Sequence, residues 1–450
     1  MGQLDLIAIV DFGTSDIRCV VAKRNHNNVI SILEHHSVNA ENSVRRGIIY
    51  NVELAAGMLK KLMNAIHNKL GGIKIAKVYV TLGGQSVFTH KITEEMQLIP
   101  PSHVKQEMVD SLWRKARTYK PDLTTNYGIV DVEYFVDQKS ETRPVGVSCD
   151  KLEADFTVVV GRPNLLNNIK KVVESCNLEL AGYYVSSVAS AELLLEEQDR
   201  KLGCVLVDFG AGTTDVSIYH NGILRYLSTI PLGGRSITQD ITAMNFLEDE
   251  AEKYKLKFGK AKESKPKSRF ASPFASKQEV DMVELNKVIS FRLTEIIANI
   301  KEQIRLSGFQ DKLGAGMLIT GGASELTNLE EELSEKLKME VRRVYARKDR
   351  VNNAHEVVSN LSYSPVLGAM FFAEENCQYV EPKVTIETSA TEHEEVSTAA
   401  SRDSNRKRGG MFWKGGDSSV ESKKTKDTSS VKDKMRGFFD NLFVDEVDDE

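Results

Sequence analysis

The sequence predicts an α/β fold that contains a duplicated unit. A short apolar run rich in β-forming residues ends in Val10-Asp11-Phe12-Gly13, and a second apolar run follows after a polar turn. The same strand, turn and strand pattern recurs around Val207-Asp208-Phe209-Gly210, and each copy continues into a Thr-x-Asp before a β-branched residue. Two such hairpins in one chain indicate two lobes of related fold.

The composition limits the class of protein. With 450 residues and 41% hydrophobic content, the chain can form more than one core. The formal charge of -5 provides no general attraction to nucleic acid, so no nucleic-acid partner is expected. The five cysteines form no CxxC pair, which favours a reducing compartment. No apolar run approaches the roughly 18 to 20 residues of a spanning helix, and the N-terminus lacks a basic leader, so we expect a cytoplasmic chain.

Apolar periodicity predicts further helices and strands around the two hairpins. Helices are expected at 52–70, 165–176, 188–195, 236–254, 283–304 and 326–337, and strands at 78–82, 129–136, 156–160 and 317–320. The stretch 259–278 is rich in Lys, Ser, Pro and Arg and is predicted to be a solvated loop. Residues 381–430, rich in Ser, Thr, Glu and Lys, are predicted to be disordered.

The two polar turns have the chemistry of a phosphate site. An Asp at the end of a strand can hold Mg²⁺ or its waters, and the Gly and Thr or Ser that follow let backbone amides approach phosphate oxygens. Either turn alone could equally be an ordinary hairpin turn, because Gly and Asp are common there. Two copies between β-branched runs, with Gly321-Gly322 after a third strand, favour a nucleotide site.

Three other nucleotide-binding motifs do not fit. Residues 210–215 begin like a GxGxxG motif, but the third Gly is missing and a strand follows, so no helix N-terminus would face a pyrophosphate. Asp-Phe-Gly also occurs in protein kinases, but this chain has no His-Arg-Asp catalytic loop. It has no Walker Gly-Lys-Ser/Thr either.

The motifs resemble those of the actin and sugar-kinase ATPase superfamily. Residues 6–21 resemble its first phosphate motif, 204–219 its second and 317–330 its adenosine motif, and the segments similar to its two connecting helices are 185–195 and 364–373. Within the superfamily, the segments most similar to the bacterial FtsA family are Val78-Tyr79-Val80-Thr81-Leu82-Gly83-Gly84, 150–154 and 230–241. The resemblance covers almost all of residues 4–375.

The resemblance implies a duplicated actin-like fold of two ribonuclease-H-like ATPase lobes with an FtsA-type inserted subdomain. It assigns 1–83 and 162–195 to the first lobe, 84–161 to the inserted subdomain, 196–235 and 307–379 to the second lobe, and 236–306 to a partner-binding subdomain. Residues 380–430 would form a disordered linker, and 431–445 an amphipathic membrane-targeting helix.

ATP and Mg²⁺ are the cofactors that the resemblance implies. Asp11 and Asp208 would be the catalytic carboxylates and would coordinate Mg²⁺ through water. The residues expected to hold phosphates are Gly13, Thr14, Ser15, Gly210, Gly212, Thr213 and Thr214, and those expected to face the nucleoside are Gly321, Gly322 and Ser324. Glu252 and Lys255 correspond to the family's purine-side pair, although Glu and Lys at this spacing usually form a solvated helix face.

Two serines bear on hydrolysis, which needs a group that orients water toward the γ-phosphate. Chaperone-type relatives have a Glu at the start of the first connecting helix, whereas this chain has Ser186 and Ser187 there. Because a neutral hydroxyl orients water less well, we expect slow or no turnover, with ATP acting as a ligand for polymerisation. The sequence leaves open whether ATP is hydrolysed.

The last predicted helix combines an apolar stripe with a basic first half. The stripe has helical spacing and consists of Val431, Met435, Phe438, Phe439, Leu442 and Phe443. The basic residues are Lys432, Lys434 and Arg436. A basic amphipathic helix at the end of a disordered tether is typical of an anchor that binds anionic membrane lipids. The alternative is a helix that packs on its own domain or on a partner.

These features predict a peripheral protein on the cytoplasmic face of the cell membrane at the division site. The resemblance implies an ATP-dependent scaffold that polymerises with itself, tethers the FtsZ ring to the membrane and recruits later division proteins. The FtsZ C-terminal tail would bind in the 236–306 subdomain, where Arg292 and Glu295 match a family helix motif. The alternative is an ATP-dependent chaperone or small-molecule kinase of the same superfamily.

Overall fold

The structure of the chain is a computed structural model that describes residues 4–262 and 281–379. The predicted linker, the predicted C-terminal helix with all its proposed lipid contacts, and residues 263–278 of the predicted loop lie outside the described residues.

The described residues form both strands and helices. The strands are β1 (Leu4–Phe12), β2 (Asp16–Arg24), β3 (Ile30–Asn39), β4 (Val44–Arg45), β5 (Ile48–Ile49), β6 (Lys77–Leu82), β7 (Phe88–His103), β8 (Thr125–Val136), β9 (Lys139–Glu141), β10 (Ser148–Gly161), β11 (Glu179–Val185), β12 (Cys204–Phe209), β13 (Thr214–His220), β14 (Ile223–Ile230), β15 (Met317–Thr320), β16 (Val341–Arg343) and β17 (Val351–Asn352). The helices are α1 (Val52–Lys69), α2 (Gln106–Arg117), α3 (Asn164–Glu174), α4 (Ser186–Leu194), α5 (Glu197–Leu202), α6 (Gly234–Thr242), α7 (Glu248–Phe258), α8 (Met282–Ser307), α9 (Leu329–Leu337), α10 (His355–Ser359) and α11 (Ser364–Ala369).

Two large sheets repeat one plan. In the first sheet, with strand order β11-β6-β1-β2-β3-β17, β1, β2 and β3 form an antiparallel meander, and β6 lies parallel to β1 on its other side. In the second, β12, β13 and β14 form the meander, and β15 lies parallel to β12. The predicted duplication and α/β fold class are therefore confirmed.

The sequence of each central strand reflects its position in a sheet covered on both faces. Residues 6–10 of β1 are completely buried, which explains a continuous apolar run instead of the alternation of a half-exposed strand. Helix α1, whose predicted position is confirmed, begins after Asn51, and the side-chain oxygen of Asn51 accepts a hydrogen bond from the backbone N–H of Leu54.

The second sheet continues beyond its meander into the segment predicted as an inserted subdomain. Its full order is β16-β15-β12-β13-β14-β7-β10-β8-β9, and β14 meets β7 at Ser228 and Phe88. Helix α2 packs on β7, β8 and β10 through a separate core that includes Leu112 and Phe156. A small further core joins α6, α7 and α8 around Ile241 and Ile289. The predicted domain boundaries stay a prediction.

One predicted helix is wrong, and another begins later than expected. The pattern at 236–254 predicted a single helix, but α6 ends at Thr242 and α7 begins at Glu248. Between them Asn245 has φ +66°, a left-handed conformation that Asn tolerates and that a continuing helix excludes. The helix predicted at 326–337 begins only at Leu329, as α9. A 3-10 turn at Gly322–Glu325 precedes it.

None of the helices within the described residues combines the length and the apolar character that a bilayer-spanning segment needs.

Candidate functional site

Both repeated turns line one cavity of about 790 Å³. Among the predicted site residues, those on its wall are Asp11, Gly13, Thr14, Ser15, Asp208, Gly210, Gly212, Thr213, Glu252, Lys255, Gly321 and Gly322. Thr214 and Ser324 are buried behind the wall. Thr214 donates its hydroxyl to the carbonyl of Leu232 (2.9 Å), and Ser324 donates its own to the carbonyl of Gly321 (2.6 Å). These two hydroxyls therefore stabilise the turns by hydrogen bonds to backbone carbonyls instead of facing the cavity.

The first turn places Asp11 at the carboxyl end of β1. Its Oδ1 accepts a hydrogen bond from the Thr81 hydroxyl (2.5 Å), and its Oδ2 lies 3.8 Å from a guanidinium nitrogen of Arg18. Arg18 also donates to Asp16 (2.8 Å) and lies over the ring of Tyr363 at 5.6 Å. The sequence reasoning missed Arg18, although a single charged residue in the apolar run of β2 was an available signal.

The second turn places Asp208 at the carboxyl end of β12. Its Oδ2 accepts a long hydrogen bond of 3.5 Å from the hydroxyl of Ser190 on α4. Asp215 on β13 also lines the cavity, and its buried Oδ1 has no hydrogen-bond partner among the described residues. Asp215 was not selected from the sequence, although it is the Asp of the second Thr-x-Asp.

The three carboxyl groups are buried close together, which disfavours their charged forms. Burial, followed by repulsion from Asp215 and Asp11, raises the pKa of Asp208 to about 7. Burial also raises the pKa of Asp215 to about 6, against a hydrogen bond from Thr229 that lowers it. The pKa of Asp11 is raised by burial, although Arg18 opposes this shift. A bound cation would stabilise all three carboxylates.

The donor set fits a Mg²⁺ ion that is only partly coordinated by protein. Within residues 4–262 and 281–379, no three His, Cys, Asp or Glu side chains are close enough together to hold a metal ion alone. Mg²⁺ usually keeps several waters and binds one or two carboxylates together with phosphate oxygens. Asp11 and Asp208, which both line the cavity, are compatible with that mode.

At two of the glycines, a neighbouring residue lies so close to the backbone that a side chain would not fit. Gly212 packs against Thr14, so that an added Cβ would lie 2.3 Å from the Thr14 hydroxyl oxygen. Gly321 has φ +86°, and its added Cβ would lie 2.2 Å from Oδ1 of Asp208. The start of α6 also rests on the second turn, because the N–H of Gly234 donates to the carbonyl of Gly210 (3.0 Å).

A side-chain contact crosses the cavity between the two halves of the chain. Arg235 donates to Oδ1 of Asn42 (2.5 Å) and to Glu248 (2.8 Å), and all three residues line the cavity. The backbone N–H of Arg235 donates to the carbonyl of Ala211 in the second turn (2.7 Å). Arg235 therefore connects Asn42, in the first half of the chain, to the second repeated turn.

Glu252 and Lys255 are not an ordinary solvated pair. The ammonium group of Lys255 is buried and donates to the carbonyl of Gly234 (3.0 Å), the hydroxyl of Thr238 (2.9 Å) and the carboxylate of Glu252 (2.7 Å). These bonds use its three donor hydrogens. The side chain of Glu252 is 42% exposed and borders the cavity.

Comparison with known proteins identifies the family. The model of the family described as "Cell division protein FtsA" matches residues 205–368. The cell division protein FtsA of Porphyromonas gingivalis is 30% identical over 386 residues, which are 84% of this chain and 80% of that protein. The chain belongs to the FtsA family. A second FtsA, from Pseudomonas aeruginosa, is 26% identical over 381 residues, which are 82% of this chain and 89% of that protein.

A solved structure supports the fold of this FtsA-family chain. One chain of a PilM-PilN type IV pilus biogenesis complex superposes with a TM-score of 0.57 at 15% identity, covering 80% of this chain and 96% of that chain. The predicted family and the actin-like ATPase fold are confirmed, and the chain is accordingly a cell-division protein with that fold.

The remaining predicted residues that the structure describes in this FtsA-family chain lie at two separate places. Ser186 begins α4 and lines the cavity beside Gly83, whereas Ser187 is buried and does not reach it. Arg292 lies on α8, away from the cavity wall, where two of its nitrogens donate to the carboxylate of Asp240 at 2.6 and 2.8 Å. It also pairs with Glu295 one turn further along.

Proposed function

We propose that the chain binds ATP with Mg²⁺ in the cavity between its two repeats. The observation that carries this proposal is the convergence of both Asp-Phe-Gly turns on one cavity, where Gly212 touches Thr14. Small residues at the turns let backbone N–H groups approach phosphate oxygens, and Thr14, Ser15 and Thr213 add hydroxyls. Arg18 supplies a fixed positive charge beside the first turn.

Asp11 and Asp208, which both line the cavity, would hold the hydrated Mg²⁺ ion through its waters. When bound, the ion neutralises phosphate charge. The two carboxylates would orient its waters, and Asp215, which also lines the cavity, would add a third carboxylate nearby.

The nucleoside would occupy the end of the cavity formed by α6, α7 and the turn after β15. Gly321 and Gly322 bring backbone close to that end, and Ser324 holds the turn in shape. Ile237 and Leu326 give it an apolar wall, while Glu252 offers a carboxylate at its edge. Lys255 acts mainly by holding Glu252 and the start of α6 together.

Turnover of ATP would be slow. The first turn of α4 contains no acidic residue, and the cavity-lining residue there is Ser186, whose hydroxyl is neutral. A hydroxyl is a weaker group for orienting an attacking water than a carboxylate. ATP would then act as a ligand that favours self-assembly into an actin-like polymer.

We further propose that the assembled chain tethers the FtsZ ring to the cytoplasmic face of the cell membrane at the division site and recruits later division proteins. Family membership supports the division role. The FtsZ tail would bind near Arg292 and Glu295. Arg292 pairs with both Asp240 and Glu295, and these residues form a partly exposed charged surface on α6 and α8. The sequence of 431–445 supports binding to anionic lipids.

Equilibrium binding of ATP to the full-length protein, with Mg²⁺ and with EDTA, tests the nucleotide site. We expect binding that Mg²⁺ strengthens, and little phosphate release over the same period. Absence of ATP binding under both conditions would contradict the proposal. Rapid phosphate release, or transfer of phosphate to a sugar, would instead support the chaperone or small-molecule kinase alternative.

A further inference from the structure

Thr81 lies at the position of β6 that pairs with Asp11. In the parallel ladder of β1 and β6, Asp11 is in register with Thr81, so both side chains reach the carboxyl edge of the sheet together. The Thr81 hydroxyl donates to Oδ1 of Asp11 at 2.5 Å. Both residues line the cavity, and Thr81 is only 3% exposed. The carboxylate therefore has one oxygen held by a buried neutral donor.

The second half of the chain places a threonine at the equivalent position but uses it differently. Asp208 of β12 is in register with Thr320 of the parallel strand β15. The Thr320 hydroxyl, however, lies 3.2 Å from the hydroxyl of Ser364. Among the described residues, the side-chain hydrogen bond that Asp208 receives is the 3.5 Å bond from Ser190. The sequences Thr81-Leu82-Gly83-Gly84 and Thr320-Gly321-Gly322 thus repeat a strand end with two different hydrogen-bond patterns.

The bond from Thr81 restricts the orientation of the Asp11 carboxylate. Rotation of the carboxylate would break the contact to Oδ1 and leave a buried hydroxyl and a buried oxygen without partners. With Oδ1 held, Oδ2 is the oxygen that faces Arg18 at 3.8 Å. Groups that hydrogen-bond a metal-binding carboxylate in this way orient it and affect metal affinity.

We propose that Thr81 is a positioning residue that orients Asp11 toward the hydrated Mg²⁺ ion of bound ATP. This inference rests on the proposed function, in which Asp11 holds that ion. Thr81 acts through Asp11 and need not touch the nucleotide itself. The hydroxyl is the part of the side chain that matters, since the methyl group makes no hydrogen bond.

The test is a Mg²⁺ titration of ATP affinity in the full-length protein and in matched variants. Thr81→Val keeps the shape and removes the hydroxyl, so the Mg²⁺ concentration that gives half of the full increase in ATP affinity should rise about tenfold. ATP affinity in EDTA should be unchanged. Thr81→Ser, which keeps the hydroxyl, should behave like the parent. Thr81→Ala should shift the Mg²⁺ midpoint by the same factor as Thr81→Val. It replaces Thr81→Val in the test if the Val variant does not fold.

Thr320→Val is the matched control, because it removes a buried hydroxyl at the same ladder position whose hydrogen bond goes to Ser364 and not to Asp208. It should keep the parent's Mg²⁺ midpoint. If the parent shows Mg²⁺-dependent ATP binding but folded Thr81→Val or Thr81→Ala keeps the parent's Mg²⁺ midpoint, the role of Thr81 is overturned. The proposed ATP site is not affected by that result. An equal shift in Thr320→Val would overturn the role of Thr81 too. A parent protein without Mg²⁺-dependent ATP binding would remove the proposed function together with this inference.

Discussion

Gly212 lies directly against Thr14, so the two repeated turns touch each other across the cavity. An added Cβ at Gly212 would lie 2.3 Å from Oγ1 and 2.8 Å from Cγ2 of Thr14. The Thr14 hydroxyl is held in turn by the N–H of Gly47 (3.0 Å). The contact therefore sets the separation of the two turns that would hold the phosphates.

Gly212→Ala should weaken ATP binding by forcing these turns apart. Overpacking of this kind costs about 1–3 kcal/mol, so we expect a loss in ATP affinity of about tenfold, measured by equilibrium binding with Mg²⁺. Gly57→Ala is the control, because no atom lies within 4 Å of its added Cβ and Ala is favoured over Gly in helix α1. If Gly212→Ala bound ATP as tightly as Gly57→Ala, the contact would not control the site.

Asp208→Asn should weaken ligand binding without lowering the stability of the ligand-free protein. Loss of the carboxylate should weaken binding of ATP with Mg²⁺ about tenfold or more, since a hydrogen bond to a charged group contributes about 1.5–3 kcal/mol. Thermal melting without ligand at pH 8 should be unchanged or raised, because Asp208 is buried beside the negative charges of Asp215 and Asp11.

Asp349→Asn, at an exposed carboxylate away from the cavity wall, is the control for Asp208→Asn and should leave ATP affinity unchanged. Parent-like affinity and Mg²⁺ dependence in Asp208→Asn would remove Asp208 from the proposed site. A large drop in its ligand-free melting temperature would indicate a structural role instead.

Glu133→Gln should destabilise the protein at neutral pH and much less in acid. Glu133 of β8 pairs with Arg225 of β14, and the hydrogen bond from Arg225 holds the pKa of Glu133 below its usual value. A carboxylate with a depressed folded-state pKa contributes stability above its unfolded pKa, and this contribution is lost as the pH falls through the folded pKa. We expect a loss of about 1–2 kcal/mol at pH 7 that shrinks below about pH 4.5.

Chemical denaturation across this pH range measures the effect, and Arg225→Gln with the double variant completes the cycle. The two single losses should be strongly non-additive. Additive losses, or a loss in Glu133→Gln that stays constant from pH 7 to pH 3.5, would show that the ion pair does not stabilise the junction of β8 and β14.

Phe439→Glu should release the protein from membranes. The change removes roughly 1.5–3 kcal/mol of apolar burial and adds a charge that must stay hydrated, so co-sedimentation with anionic liposomes should be lost at any salt concentration. Lys432→Gln should cost only about 1 kcal/mol, and that loss should fade as salt screens the lipid surface.

Phe439→Leu is the matched control for the tail, because it keeps an apolar side chain, and it should retain most of the binding. Co-sedimentation of Phe439→Glu equal to that of the parent would contradict the proposed anchor. Binding of the tail to a soluble partner by a full-length protein that ignores lipid would establish the partner-helix alternative.

Short-range patterns allowed the sequence by itself to determine the two hairpins, their duplication and most of the central strands. A strand, a Gly-containing turn and a second strand are recognisable within about 15 residues, because alternation and turn chemistry depend on neighbours in the chain. The strand Met317–Thr320 was predicted at its observed bounds for this reason. The helix predicted at 236–254 failed where one left-handed Asn245 broke an otherwise helical pattern.

Only the tertiary structure decided which side chains support the turns. Thr81 is 70 residues from Asp11 in the chain, and Tyr363 lies still further from Arg18, so neither partnership leaves a local pattern. Lys255 at a surface-like helical spacing is buried because Gly234 and Thr238 surround its ammonium group. Such contacts depend on how sheets and helices pack, since burial and the need to satisfy buried polar groups select them only after the chain has folded.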